Sequence, residues 1–190
     1  MENICSRCAK KGSCCCDSGW TTIFITLEDA MRIAKYTREN VDDIAIFRKI
    51  PKNHREYSPD DVYTKGIKYE HLMIRNRGKC RYLGEKGCKI FPVRPILCRL
   101  FPFWFEVKKG KISIYQCIAD KAEDEDCLIL KENFGKSDDE ILKFMGEDKK
   151  ELVELTKKYV EEIERHKKYA HYLKEGKKLS WVIEKFGIKI

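Results

Sequence analysis

Ten cysteines stand in this chain of 190 residues, and their spacing is its strongest chemical signal. Five fall within the first sixteen residues: Cys5 and Cys8 at C-x2-C spacing, then Cys14, Cys15 and Cys16 after Lys10, Lys11, Gly12 and Ser13. A C-x2-C turn brings two thiolates to one metal, because the short loop lets both side chains point the same way. A zinc ribbon would repeat that pair, and no second copy exists in the chain; the ferredoxin run C-x2-C-x2-C-x3-C-P is absent too. The remaining ligands must therefore come from elsewhere. Neighbouring side chains of an extended segment point to opposite faces, so adjacent thiolates seldom serve one small ion. The run Cys14 to Cys16 indicates two centres, a multinuclear centre, or a ligand beside a packed thiol, the role expected for Cys16.

The second cysteine set lies in CRYLGEKGCKIFPVRPILCRLFP, residues 80 to 102. Gly84-Glu85-Lys86-Gly87 is a turn that would present Cys80 and Cys88 from one side of a hairpin. Pro92 and Pro95 bias Phe91 and Arg94 to extended backbone, and Cys98 opens a helical turn. Phe103 to Val107 and Lys111 to Tyr115 flank Lys108-Lys109-Gly110 as a β-hairpin that delivers Cys117 just past its second strand. The expected ligand pool is thus Cys5, Cys8, Cys14, Cys15, Cys80, Cys88, Cys98 and Cys117, one split site built from two distant segments. Four thiolates on Zn2+ or on a [4Fe–4S]2+ cluster carry a net charge of about −2, which must be neutralised or hydrogen-bonded inside protein. Arg94 and Arg99, close to Cys98, are the residues expected to do this, and cations there also depress thiol pKa values.

Composition sets the frame around these residues. Hydrophobic residues make up 43% of the chain and charged ones 37%, as in a globular protein, and no apolar run approaches the ~20 residues of a membrane helix. The opening MENICSRCAK has no apolar signal region, so the cytoplasm is the expected compartment. Thiols stay reduced there, which favours metal ligation over a disulfide framework. Residues 1 to 120 hold 23 Lys and Arg against 14 Asp and Glu, whereas residues 121 to 190 hold 16 against 17, so the basic excess lies with the cysteines.

The positioning elements can be read as well. Trp20 to Ile25 reads as a strand, and Thr26-Leu27-Glu28-Asp29 as a capping box opening a helix with Leu27, Ala30 and Ile33 on its apolar side. A second helix is expected from Val41 to the residue before Pro51, a loop to Lys68, and a short strand over Leu72 to Ile74. His54 and His71 are not expected to be ligands. Ser137 to Glu140 forms another capping box, and a long amphipathic helix follows from about Glu147 to Glu175, with Leu152, Leu155, Tyr159, Ile163, His166, Ala170 and Leu173 on its stripe. The expected fold is α+β: a small metal-stabilised cysteine-cluster domain over residues 1–120 and a helical C-terminal extension over 121–190.

These residues carry a family resemblance. The C-x2-C at Cys5 and Cys8, the vicinal pair after Gly12, the helix start at Thr26 to Asp29, the Cys80 to Cys88 turn and the RPILCRLFP segment resemble the YkgJ-type cysteine-cluster proteins, the CxxCxxCC zinc- or iron-chelating domain family. The likeness covers roughly residues 3 to 120. The spacing from Cys8 to the pair is longer than the compact motif, and Cys14-Cys15 is taken as the matching pair. The resemblance implies a protein holding zinc or an iron–sulfur cluster, [4Fe–4S] if iron. Some relatives are fused to, or described as, flagellin lysine N-methylases, so an iron–sulfur-dependent protein-lysine methyltransferase-like enzyme is the alternative. No G-x-G-x-x-G loop and no catalytic acid pair stands in the chain, which ranks catalysis below a structural or electron-transferring metal module with a protein partner. A zinc-stabilised nucleic-acid binder is the third reading; a cation-rich cluster shell suffices to explain the charge, so nucleic acid is not the expected partner.

Overall fold

The computed structural model describes residues 6, 7, 10, 23–49, 70–74, 80–116, 128–133 and 135–189. Helix α1, Leu27–Thr37, begins as its sequence dictates: Thr26 accepts a hydrogen bond from the Asp29 amide while the Asp29 carboxylate accepts one from the Thr26 amide, closing the capping box. Leu27, Ala30 and Ile33 are buried, and the helix ends at Arg38 in the left-handed region, φ 61°.

The expected second helix is only one turn long, α2, Val41–Ile44. From Ala45 the chain becomes strand β1, Ala45–Lys49, antiparallel to β2, Glu70–Ile74, in a register running from Ala45 opposite Ile74 to Lys49 opposite Glu70. Ile46 and Phe47 suit a pleated surface, and a ladder partner distant in sequence overrides their weak helical pattern. The sheet is extended by Ile23, whose carbonyl accepts from the Ile74 amide at 3.0 Å. Trp20 to Thr22 of the expected first strand, and the loop from Pro51 to Lys68, lie outside the described residues.

Next come β3, Leu83–Gly84, and β4, Gly87–Cys88, a minimal hairpin. Phe91 heads a 3-10 turn, Phe91–Val93, rather than standing extended, because Pro92 sits in its first turn, where a missing N–H costs nothing. Arg94 is extended, and Pro95 leads into α3, Ile96–Leu100. Strands β5, Phe103–Lys108, and β6, Lys111–Gln116, pair through Lys109 and Gly110, both at positive φ, the two-residue turn whose twist matches a hairpin. Among the described residues the strands form three separate two-stranded antiparallel sheets.

Four further helices follow among the described residues: α4, Leu128–Glu132; α5, Asp138–Met145, opened by the Ser137–Glu140 capping box; α6, Lys149–Lys174, capped by Asp148; and α7, Leu179–Phe186. At 26 residues α6 is about 39 Å long. It lines two cores. Leu152, Tyr159 and Ile163 pack with Ile96, Leu100, Phe103 and Phe105 in the first. Tyr169 and Leu173 pack with Leu27, Ile33, Ile44, Tyr82 and Ile90 in the second, which Leu179 and Val182 of α7 close. The architecture is α+β with a C-terminal helical part, and no helix among the described residues is long and apolar enough to cross a membrane.

Candidate metal centre

Cys80 and Cys88 come from the two sides of the β3–β4 hairpin. The Leu83 amide donates to the Cys80 carbonyl at 2.9 Å, Cys88 stands opposite Leu83, and the Lys89 amide donates to the Tyr82 carbonyl at 2.8 Å. This ties residues 80 to 89 into one compact loop. Both thiols are half-buried against the second core. Tyr82 between them lies under the surface, and burial pushes its phenol up to about 12, so it remains a proton donor, 3.5 Å from Glu39.

Cys98 is held differently. Ile96 and Leu100 point into the first core, and Cys98, two residues from each, lies about 200° round the helix from them. It is half-buried nonetheless. Among the described residues no three His, Cys, Asp or Glu side chains converge to hold an ion. Cys5, Cys8, Cys14, Cys15 and Cys117 of the expected ligand pool, with Cys16 and Cys127, lie outside the described residues.

One contact joins the two cysteine segments. Ser6, between Cys5 and Cys8 in sequence, is buried and donates its hydroxyl proton to the Lys86 carbonyl, on the tip of the hairpin that carries Cys88. Its backbone fills the notch left by Gly87. A Cβ at that position would stand 2.8 Å from the Ser6 nitrogen and 2.9 Å from its Cα, closer than such atoms ever pack, and Gly87 has φ +106°, which L side chains rarely adopt. Arg7 anchors the same segment on its other side: its guanidinium spans both carboxylate oxygens of Glu132 in α4 and lies 5.8 Å from the Phe144 ring centre in α5. Neither Ser6 nor Gly87 stood out by residue type; a small residue inside a C-x2-C and a second glycine in a tight turn were the only signals.

Arg94 and Arg99 face carboxylates. Arg94 reaches Glu147 at 3.2 Å and stacks over Phe91 with 3.9 Å to the ring centre. Arg99 pairs with Glu147 at 2.6 Å and Glu151 at 2.9 Å. These pairs fasten the α3 segment to the start of α6.

A buried polar cluster lies at the start of α1, against α6 and the α3 segment. Asp29 is fully buried and accepts from the Ile96 amide at 3.3 Å as well as from Thr26 and Arg32. Glu162, on α6, accepts from the Thr26 hydroxyl and from Arg32. Glu28 pairs with Arg165 at 2.9 Å through one oxygen, and its other oxygen has no hydrogen-bond partner among the described residues. Burial first, then the charge of Glu162, raises the carboxyl pKa of Glu28. Burial likewise raises that of Asp29 to about 6 against the opposing pull of Arg32.

Fold and donors together define a cysteine-cluster protein of mixed α+β architecture. The chain belongs to the family described as CxxCxxCC, "Putative zinc- or iron-chelating domain", whose model matches residues 4–127. Over 120 residues it is 29% identical to the uncharacterized protein MJ0661 of Methanocaldococcus jannaschii, a match covering 60% of this chain and 53% of that protein. The chain therefore spans about half the length of this curated relative. No solved structure matches it.

Proposed function

We infer that the protein holds zinc or an iron–sulfur cluster at a split site, with Cys80, Cys88 and Cys98 on one side and thiols drawn from Cys5, Cys8, Cys14, Cys15 and Cys117 on the other. The observation that carries this reading is the seating of Ser6 on Gly87. Cys5 is the next residue to Ser6, and Cys88 is the next to Gly87, so the contact brings the two segments of the family's motif to one place. The donor chemistry fits: thiolates suit zinc and iron and are poor partners for harder ions such as magnesium. Iron would be bound as a [4Fe–4S] cluster. The role is structural or electron-transferring, with a protein as the partner, in the reducing cytoplasm where such thiolates stay available.

The test is anaerobic purification followed by a visible spectrum and measurement of iron, zinc and sulfide per chain. Brown protein with equal iron and sulfide selects the cluster, and colourless protein with zinc selects a structural site. Protein with neither metal overturns the reading. Gly87→Ala, which pushes Ser6 off the hairpin, is expected to lower the metal content per chain, and unchanged content would show that the notch does not assemble the site.

A further inference from the structure

A depression of about 560 Å3 opens between α1, the 3-10 turn and α6, lined by Arg32, Lys35, Tyr36, Arg38, Val93 and Lys158. Four of these six side chains are cationic and none is acidic. Arg32 forms the fixed wall: its guanidinium is mostly buried and paired with Asp29 and Glu162 beneath it. Those two carboxylates compensate Arg32. Lys35, Arg38 and Lys158 make no ion pair with any described residue, so three cationic side chains without a carboxylate partner line the depression, against roughly half a negative charge from the C-terminal end of α1. Tyr36 is half exposed beside them and offers a flat face.

Arg38 supplies a second observation. It closes α1 in the left-handed region at φ 61°, ψ 24°, the conformation in which glycine is favoured and a side chain is strained. The other described helix ends in that conformation carry Gly146 and Gly187. An arginine in that place adds a cationic side chain to the lining of the depression at the expense of helix-end stability.

We propose that this depression binds a nucleotide unit, its phosphate held by Lys35, Arg38 and Lys158 and its base laid on Tyr36. The volume falls within the range of small-ligand sites, and clustered cations beside an exposed aromatic ring are what a phosphate joined to a base requires. The nucleotide comes either free or within a single strand, and the two sources are separated by using ATP and a labelled oligouridylate as probes.

The proposal is tested on the full chain, by calorimetry with ATP and by fluorescence anisotropy with the oligouridylate between 50 and 200 mM salt. For a single strand each neutralised phosphate contributes about 0.7 to the slope of log affinity against log salt. Replacing Lys35, Arg38 and Lys158 by Gln removes the neutralisation of that one phosphate and is therefore expected to reduce the slope by about 0.7, so the wild type loses about 3-fold more affinity than the variant over that salt range. Loss of oligouridylate binding in the variant assigns the strand; loss of ATP binding alone assigns the free nucleotide. Arg38→Gly is the control for folding. It is expected to keep or raise the thermal midpoint and the metal content while binding more weakly. Wild-type protein that binds neither probe, or variants that bind both as tightly as wild type, would overturn the proposal.

Discussion

Asp29 shows how much one carboxylate can organise. Fully buried, it caps α1 through Thr26, receives the Ile96 amide of the cysteine-bearing α3 segment, and holds Arg32 in place. Withdrawal from water raises its pKa from 3.8 to about 6 despite Arg32. The folded state therefore retains a proton that the unfolded chain releases, and the associated stability is present below pH 3.8 and lost as pH rises to about 6. Two pKa units correspond to something on the order of 3 kcal/mol. Urea unfolding of wild type and Asp29→Asn across pH 4 to 7 should show this decline in the wild type and a flatter profile in the variant. Parallel profiles would mean that Asp29 stays ionised throughout. Glu28, whose pKa moves in the same direction, adds to the wild-type slope in both proteins and cancels in the comparison.

At the level of elements, the helix starts differ in what rests on them. Asp148 caps α6 in solvent, and Asp148→Ala should cost about 1 kcal/mol, the ordinary value for a lost cap. Thr26 caps α1 while its hydroxyl also satisfies the buried carboxylate of Glu162 across the molecule. Thr26→Ala removes both and should cost about 2 to 4 kcal/mol, the cap plus a buried carboxylate oxygen left without its donor. Equal effects in chemical denaturation would refute that linkage. The capping boxes at Thr26 and Ser137, the stripe of α6 and the β5–β6 hairpin were legible because each is written in residues a few positions apart. Strand β1 was not, since its partner β2 begins more than twenty residues later and Ile46 and Phe47 fit either period. Glu162 was missed for a related reason: flanked by Glu161 and Glu164, it reads as part of a solvated face until α1 packs over it. The cysteine segments were identifiable by type and spacing, but the Ser6–Gly87 seat that joins them is a contact across eighty residues and leaves no local pattern.

The whole molecule is coupled through α6. Its first half completes the core beneath the α3 segment and the β5–β6 hairpin, and its second half completes the core on which Cys80 and Cys88 rest. Leu152 is fully buried in the first of these, and Leu152→Ala should cost about 2 to 5 kcal/mol. Because both cores share one helix, far-ultraviolet circular dichroism and the tryptophan fluorescence should lose signal in a single coincident transition in that variant. Two separated transitions would show that the cores are independent.

The position of α6 along the chain has a consequence for biosynthesis. The ribosome releases the cysteine segments before Lys149 to Lys174 has been made, so both cores stand open while the remaining helices are translated. At roughly 5 to 20 residues per second, residues 121 to 190 take about 4 to 14 seconds. Metal loading that requires a seated Ser6 and a closed second core would therefore follow synthesis of α6 and α7, and a chain truncated before α6 would leave the ribosome with its thiols but without the helix that completes the core beneath them.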